Sequence, residues 1–382
     1  MRARAGVERV TNVELFFDLV YVFAVTQISH YLLAYPTVTG ALRAGLLLTM
    51  IWLAWAYTTW VTNWLDPERI PVRLLLLGLA GVSLVMSAAL PAAFSARGLA
   101  VGAAYAVMQI GRSVFAVITL RGQPLQRNFQ RILAWCLVSG LLAVLGGLAR
   151  PDARTALWLA AVGVDLLGGA VGFYTPGLGR STTQDWTIEG GHFAERCQAF
   201  ILIALGESIV VTGATLSGLA RVTGPEIAAF VVSLCGSAGL WWLYFDRSAG
   251  DAARIIAASD DPGRLGRSAY HQIHPVMVAG IIVGAAADQV TLADPVAVGG
   301  GPASWMILGG PGLFLAGHAA FKAVVWRTAP WSRIIAVAVL ALLGLAAPHI
   351  SALALSACAA AVVITVAVAD HVQRGHAGEG GG

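Results

Sequence analysis

Charged residues are scarce in this 382-residue chain. Asp, Glu, Lys and Arg make up only 12% of the residues, whereas apolar residues make up 58%. A soluble domain has about 25% charged residues, so this composition excludes an ordinary soluble enzyme. The chain has one lysine, Lys322, and no GxxxxGK[ST] motif, which excludes a phosphate-binding loop of that type. No basic run is interleaved with aromatic residues, so nucleic acid is not expected as a partner.

Motifs that would mark a cofactor or a catalytic centre are also missing. The four cysteines lie in apolar segments without CxxC spacing, which indicates neither a zinc site nor a disulfide framework. HExxH, GxSxG and the dinucleotide-binding fingerprint do not occur. His271 and His274 have a spacing that a metal would accept, but a third ligand at a suitable spacing is missing. We therefore predict no metal, no cofactor and no catalytic residue.

Apolar runs long enough to cross a bilayer fill most of the chain. A spanning helix needs about 20 mostly apolar residues, because the hydrocarbon core is about 30 Å thick. We predict an all-α polytopic transmembrane helix bundle of about 12 spans. Only Pro348 and His349 separate the last two spans, so a count of about 10 or 11 is the alternative. The predicted spans run near residues 13–34, 44–64, 71–93, 98–120, 129–148, 155–175, 196–217, 225–245, 268–290, 304–325, 332–348 and 350–370.

Arginines are distributed unevenly between alternate loops. If the N-terminus is cytosolic, 17 arginines fall in or beside cytosolic segments and 5 on the opposite side. Basic residues prefer cytosolic loops. We therefore predict a multi-pass protein of the bacterial inner membrane, with the lipid bilayer as its partner and both termini cytoplasmic.

The two halves of the chain resemble each other. If the recurrence is not chance, each half contributes six spans in the same orientation, a parallel 6+6 repeat of the kind found in transporters. The predicted parts are an N-terminal half at 1–190, a C-terminal half at 191–373 and a disordered tail at 374–382. Four positions coincide without a gap after spans four and ten: Gly111/Gly317, Phe115/Phe321, Arg121/Arg327 and Pro124/Pro330.

Several strings that contain polar residues resemble the bacterial low temperature requirement A family. This resemblance covers about residues 8–290 and implies a multi-pass membrane protein linked by name to growth in the cold. It implies no established molecular activity. The strings are ELFFDLVYVFAVTQ from Glu14, WLAWAYTTWVTNWLDP from Trp52, DWTIEGGHFAER from Asp185, ALGESIVVTGAT from Ala204 and WWLYFDR from Trp241.

Acidic residues at the start of span one are the first candidates for an ion pathway. Glu14 and Asp18 are four residues apart, hence on one face of a helix, with Asp18 about 6 Å deeper. They can form an entry point for a proton or cation. Alternatively, they form an interfacial pair bonded to loop arginines such as Arg9 or Arg69.

Three further ionisable residues lie deep in predicted spans, where charge is costly. Glu207, followed by Ser208, sits near the middle of span seven and serves either function or helix packing. Arg112 in span four cannot lose its charge, so we expect a carboxylate partner: Glu207, Asp165 or Asp18. Binding of an anionic substrate is the rival role for Arg112. Asp165 in span six is either that partner or part of a transport path.

Span ten contains two more candidates. His318 and Lys322 are four residues apart and follow the Gly-Gly-Pro-Gly run 309–312, which predicts a broken or kinked helix. Discontinuous helices form ion and substrate sites in transporters. His318 would relay protons, whereas Lys322 would either join the path or extend to the interface.

Two functional hypotheses follow. Asp18, Arg112, Glu207 and His318 lie one each on spans one, four, seven and ten, which favours a proton-coupled secondary transporter or permease for a small-molecule substrate. The alternative is an intramembrane or lipid-handling enzyme that uses the same buried acids. The stretch 183–196 is predicted to be an interfacial helix or a hinge.

Overall fold

The computed structural model describes residues 10–181, 190–246, 248–259, 262–298 and 301–379, with the side chains at 190, 257, 262, 302, 303 and 373–379 excepted. Within those ranges the chain is all-helical. The α-helices are α1 Asn12–Ala34, α2 Val38–Thr62, α3 Ile70–Ala89, α4 Gly98–Thr119, α5 Pro124–Leu148, α6 Pro151–Ala170, α7 Gly190–Gly218, α8 Gly224–Phe245, α9 Ser248–Ala257, α10 Pro262–Gly266, α11 His274–Ala293, α12 Pro302–Trp326, α13 Trp331–Ala346 and α14 Ala352–Glu379.

Twelve helical stretches in the described ranges are long and apolar enough to cross a membrane, which confirms the predicted span count. A short turn, Ala347–His349, separates α13 from α14, so the last apolar region is two helices. A π-helical segment, Arg267–Ile273, leads into α11. Helix α14 runs to Glu379, into the range that the sequence assigns to a tail. The first half of the predicted helix or hinge at 183–196 lies outside the described residues, and α7 begins at Gly190.

The chain divides into two compact units. Unit 1 comprises Met1–Ala199 and Ser259–Gly266, and unit 2 comprises Phe200–Ala258 and Arg267–Gly382. In unit 1, α4 packs extensively on α5, and α1 packs on α3. In unit 2, α11 packs on α12, and α8 packs on α14.

Not all arginines that the loop count assigns to the membrane surface are exposed. Arg154 is only 6% exposed and donates to the carbonyls of Gly146, Gly147 and Ala149 at the end of α5. The last carbonyls of a helix have no intrahelical donor, so this guanidinium closes the C-terminus of α5. The position of Arg154 therefore reflects the local structure at the end of α5 as well as the side of the membrane on which its loop lies.

The helix pair α4 and α5 depends on a glycine. A Cβ added at Gly102 would lie 2.2 Å from the carbonyl oxygen of Ala143 on α5. The backbones approach closely here because small residues allow it, as is usual between membrane helices. On the same helix, a Cβ at Gly111 would meet nothing within 4 Å.

We expect Gly102→Ala to separate α4 from α5 and to lower the free energy of unfolding by about 1–3 kcal/mol, the usual cost of overpacking. Gly111→Ala is the matched control, and it should be neutral or stabilising by up to about 1 kcal/mol because alanine favours a helix over glycine. Thermal unfolding of the two purified variants measures the difference. Equal midpoints would contradict the close approach.

Helix α12 corrects the prediction of a broken span ten. It continues from Pro302 to Trp326 with Pro311 inside it. Membrane helices tolerate an internal proline because neighbouring groups can satisfy the backbone carbonyl that proline leaves without a donor. That carbonyl belongs to Ile307, four residues before Pro311.

Candidate functional site

A buried ionic cluster joins the start of α1 to the start of α7 in unit 1. Arg196 donates through Nε to Asp18 Oδ2 at 2.9 Å and through Nη2 to Asp18 Oδ1. Its Nη1 lies 3.4 Å from Glu14 Oε1 and donates to Thr62 Oγ1 at 3.1 Å. Glu14, Asp18 and Arg196 are each 0% exposed. One arginine thus contacts two carboxylates away from water.

Local sequence places the two carboxylates for this contact. Helical spacing puts Glu14 and Asp18 on one face of α1. Glu14 also accepts from the backbone N and hydroxyl of Thr11, at 3.0 and 2.9 Å, which closes a capping box at the start of α1. His192 Nε2 lies 3.1 Å from Oε1, the other oxygen of the same carboxylate. Glu14 therefore binds the helix start and the charged cluster at once.

Aromatic residues enclose the cluster. Trp55 on α2 donates through Nε1 to Asp18 Oδ1 at 2.6 Å. The Arg196 guanidinium lies 5.8 Å from the ring centroids of both Phe17 and Trp55. Guanidinium groups are attracted to aromatic faces, most strongly where water is excluded. The cluster is thus buried by apolar rings rather than open to the surface.

The sequence allowed two interpretations of Glu14 and Asp18, an ion entry point or an interfacial pair bonded to loop arginines, and these contacts decide between them only in part. The pair does bond an arginine, but that arginine is Arg196 and the group is fully buried rather than interfacial. Arg69 instead lies 3.7 Å from Asp66, at an exposed position. Arg9, the other predicted partner, lies outside the described residues.

A second polar chain in unit 1 connects α4 to α6. Tyr105 donates its hydroxyl to Asp165 Oδ2, and Gln109 Nε2 donates to the same oxygen at 2.8 Å. Gln109 Oε1 in turn accepts from Arg112 Nη2 at 2.7 Å. All four side chains are at most 1% exposed. Tyr57 adds a hydroxyl bond to the backbone carbonyl of Asp165 at 3.1 Å.

The prediction of a carboxylate in direct contact with Arg112 needs correction. Among the described residues, the hydrogen bonds of its guanidinium go to Gln109, Thr58 Oγ1 at 3.5 Å and the carbonyl of Ala54 at 3.4 Å. Its charge reaches Asp165 through the amide of Gln109. An amide can bridge the two because it donates with its nitrogen and accepts with its oxygen.

Unit 2 contains an ion triad near the end of the last span. Asp370 accepts from Arg333 at both carboxylate oxygens and from Lys322 Nζ at 3.2 Å. Arg333 is 1% exposed. Lys322 is therefore held by a carboxylate on another helix, rather than simply extended to the interface, and Asp370 has two cationic partners.

The histidines of unit 2 are enclosed rather than grouped as metal ligands. His274 Nε2 lies 2.6 Å from Tyr244 Oη, and its Nδ1 lies 3.0 Å from the carbonyl oxygen of Ala269, so both ring nitrogens are occupied. His318 is 0% exposed, and neither ring nitrogen has a hydrogen-bond partner in the described parts of the chain. No group of three metal-binding side chains occurs in those parts.

The predicted site residues fall into separate groups. Glu14 with Asp18, and Arg112 with Asp165, belong to unit 1. Glu207, 5% exposed, and Ser208, whose Oγ lies 3.3 Å from Ser237 Oγ, belong to unit 2 with Lys322 and His318. The convergence of spans one, four, seven and ten on one path stays a prediction.

Several residues of these clusters were not among the site residues predicted from the sequence. They are Arg196, His192, Tyr105, Gln109, Arg333 and Asp370, together with Asp288 on α11, which lines a cavity in unit 2. Gln109 had a sequence signal, because it precedes Arg112 by three residues and so shares its helix face. Asp288 had one as well, since it is an acid inside an apolar run. Arg196 had none, because it stands at the edge of a predicted span and was assigned to a loop.

One family model matches nearly the whole chain. The family model described as Bacterial low temperature requirement A protein (LtrA) matches residues 9–368. An uncharacterized protein of Rhizobium meliloti (strain 1021) is 36% identical over 366 residues, which cover 95% of this chain and 89% of that protein. No solved structure matches.

Proposed function

This chain belongs to the bacterial low temperature requirement A family, as its sequence predicts, and we propose that it is a proton-coupled secondary transporter or permease. The observation that carries the proposal is the ionic cluster of unit 1, in which Glu14, Asp18 and Arg196 are all 0% exposed. Ionised groups within a membrane are costly, and they usually mark substrate or proton pathways. A purely structural contact would be at least as stable with apolar side chains.

A parallel 6+6 repeat is part of the proposal. A half at 1–190 and a half at 191–373 would share one orientation, with both termini cytoplasmic in the bacterial inner membrane. Five helix pairs within unit 1 have counterparts within unit 2, as expected for parallel repeats, whereas the contacts of α1 with α2 and α3 have no equally extensive counterpart at α7 in the described residues. The pairs α2–α4, α2–α6, α3–α4, α4–α5 and α5–α6 correspond to α8–α12, α8–α14, α11–α12, α12–α13 and α13–α14.

Buried carboxylates would supply the proton-coupling step. Glu207 is the best candidate, because it is 5% exposed near the middle of α7 and is followed by a serine that bonds Ser237. Its protonation would change the charge inside unit 2 as substrate binds. Asp165 would act similarly in unit 1, where Tyr105 and Gln109 can pass a change in charge to Arg112.

Flux measurements test the proposal. Purified protein is placed in liposomes loaded with a pH-sensitive dye, and amino acids, sugars, organic anions and organic cations are added in turn under an imposed pH gradient. We expect one class to accelerate dissipation of the gradient. Glu207→Gln should reduce that flux on the order of 100-fold, the usual contribution of a positioned proton-transfer group.

Asp152→Asn is the control, because Asp152 is an exposed acid in the first turn of α6. It should leave flux unchanged. Retained flux in Glu207→Gln would remove that residue from the pathway. If no compound class moves protons and the liposome lipids change in composition instead, the enzyme alternative replaces transport.

A further inference from the structure

A small cavity lies inside unit 2, among α7, α8, α11, α12 and α14. Its volume is about 60 Å³, and its lining includes Ser208, Ser233, Ser237 and Asp288. About 10–15 Å³ of such space holds one water, so the cavity has room for an ion or a few waters. Its polar atoms are all oxygens of hydroxyl, carboxyl or backbone groups, apart from backbone nitrogens.

The oxygens are close to one another. Ser208 Oγ lies 3.3 Å from Ser237 Oγ, and Ser233 and Asp288 line the same cavity. Ser233 Oγ is buried and has no hydrogen-bond partner among the described residues. The three serines are each at most 9% exposed. Helix α7 thus supplies one hydroxyl, α8 two and α11 the carboxylate. Three helices converge on one acid within the membrane-spanning part of the unit.

Asp288 differs from the other deep acids in its electrostatic surroundings. Asp18 contacts Arg196, and Asp370 contacts Arg333. Among the described residues that line the cavity, none is Lys, Arg or His. An ionised carboxylate in this position needs a counter-ion to offset its lost hydration. The space beside it is where that ion fits.

Proline leaves one backbone carbonyl near the cavity without its helical donor. Pro311 and Ile307 both line the cavity. Because proline has no N–H, the carbonyl of Ile307 has no intrahelical donor from that position. Backbone carbonyls freed in this way coordinate cations in membrane transporters. The backbones come close because a Cβ at Gly280 would lie 2.5 Å from the nitrogen of Phe314.

We propose that this cavity is a sodium-binding site, with the Asp288 carboxylate, the hydroxyls of Ser208, Ser233 and Ser237, and the carbonyl of Ile307 as ligands. All-oxygen ligation selects a hard cation. One carboxylate balances one positive charge, which favours a monovalent cation over Mg²⁺. The potassium and choline arms of the test below check the choice of Na⁺. A role for Na⁺ in coupling rests on the proposed transport function, whereas the binding does not.

Thermal unfolding of the purified full-length protein tests the site. NaCl, KCl and choline chloride are titrated at constant total ionic strength, and ²²Na⁺ binding is measured by equilibrium dialysis. We expect saturable stabilisation by Na⁺ alone and one bound ion that Asp288→Asn abolishes. Ser237→Ala and Ser233→Ala keep the charge and the fold, and each should weaken the apparent Kd about tenfold.

Asp294→Asn is the matched control, because Asp294 is an exposed acid just after the same helix. It should bind Na⁺ like the parent protein. Equal stabilisation by all three salts, or undiminished ²²Na⁺ binding in Asp288→Asn and both serine variants, would overturn the site. An unfolding temperature that does not depend on Na⁺ at any pH would also overturn the site, because it would mean that Asp288 binds a proton instead of Na⁺. Sodium binding without flux would leave the site standing and remove the transport function, whereas sodium-independent flux would remove only the role of Na⁺ in coupling.

Discussion

Replacing Arg196 by methionine is expected to lower the free energy of unfolding by about 3–5 kcal/mol, enough to prevent folding in many proteins. Glu14 and Asp18 would remain 0% exposed without the guanidinium that now contacts both. Methionine fills a similar volume, so the lost free energy of unfolding reflects the missing charge more than a change in packing. Thermal or denaturant unfolding in detergent, together with the yield of monodisperse protein, measures it.

Removing all three charges should restore much of that stability. A buried ion pair replaced by groups of similar volume is often neutral or stabilising, because the desolvation cost disappears with the charges. We therefore expect Glu14→Gln, Asp18→Asn and Arg196→Met together to unfold at a higher temperature than Arg196→Met alone. The triple variant should nevertheless lose proton-coupled flux, since the proposed pathway needs ionisable groups.

Arg73→Met serves as the control for the loss of an arginine. Arg73 contacts Glu68 at 2.9 Å, with side chains 45% and 63% exposed. Exposed ion pairs contribute at most about 1 kcal/mol, so the unfolding midpoint should barely move. If Arg196→Met proved as mild as Arg73→Met, the buried cluster would not hold the start of α7 against α1.

Span positions were predictable because they depend on composition alone. Every spanning helix needs about 20 mostly apolar residues to cross the bilayer, and a sequence window of that length detects them. The twelve candidate helices fall where the apolar runs are, and even the short separation at Pro348 and His349 forms a real turn. The run at 309–312 predicted a break or a kink because proline disrupts soluble helices, whereas membrane helices tolerate an internal proline, and α12 continues through Pro311.

The partners in the site were less predictable, since they depend on which helices touch. Spacing along α1 showed that Glu14 and Asp18 share a face, but not that Arg196, 178 residues beyond Asp18, would bind them. Direct ion pairing of Arg112 was a reasonable expectation from charge. Gln109 lies between Arg112 and Asp165 instead. Its amide can hydrogen-bond both side chains and adds no further charge to the interior.

Asp370→Asn is expected to destabilise unit 2 more than removal of either of its cationic partners. The carboxylate is the shared ion-pair partner of Arg333 and Lys322, so the variant leaves two cations close together without it. Arg333 is 1% exposed and cannot lose its proton. The side chain of Asp370 is 18% exposed, so we discount the loss for solvent screening to about 2–3 kcal/mol. Unfolding midpoints should fall in the order Lys322→Met, Arg333→Met, Asp370→Asn, with Asp370→Asn the lowest.

Adding Lys322→Met to Asp370→Asn distinguishes repulsion from lost packing. The double variant keeps the buried Arg333 but removes the second cation, so its midpoint should recover part of the loss. Asp246→Asn is the control, because Asp246 contacts His371 at 3.5 Å with side chains 29% and 55% exposed, and the change should stay below about 1 kcal/mol. A double variant less stable than Asp370→Asn would mean that Lys322 stabilises α12 by packing on Trp326, whose ring centroid lies 5.9 Å from its Nζ. In that case the ion triad would matter less than the lysine stem and the aromatic ring beneath it.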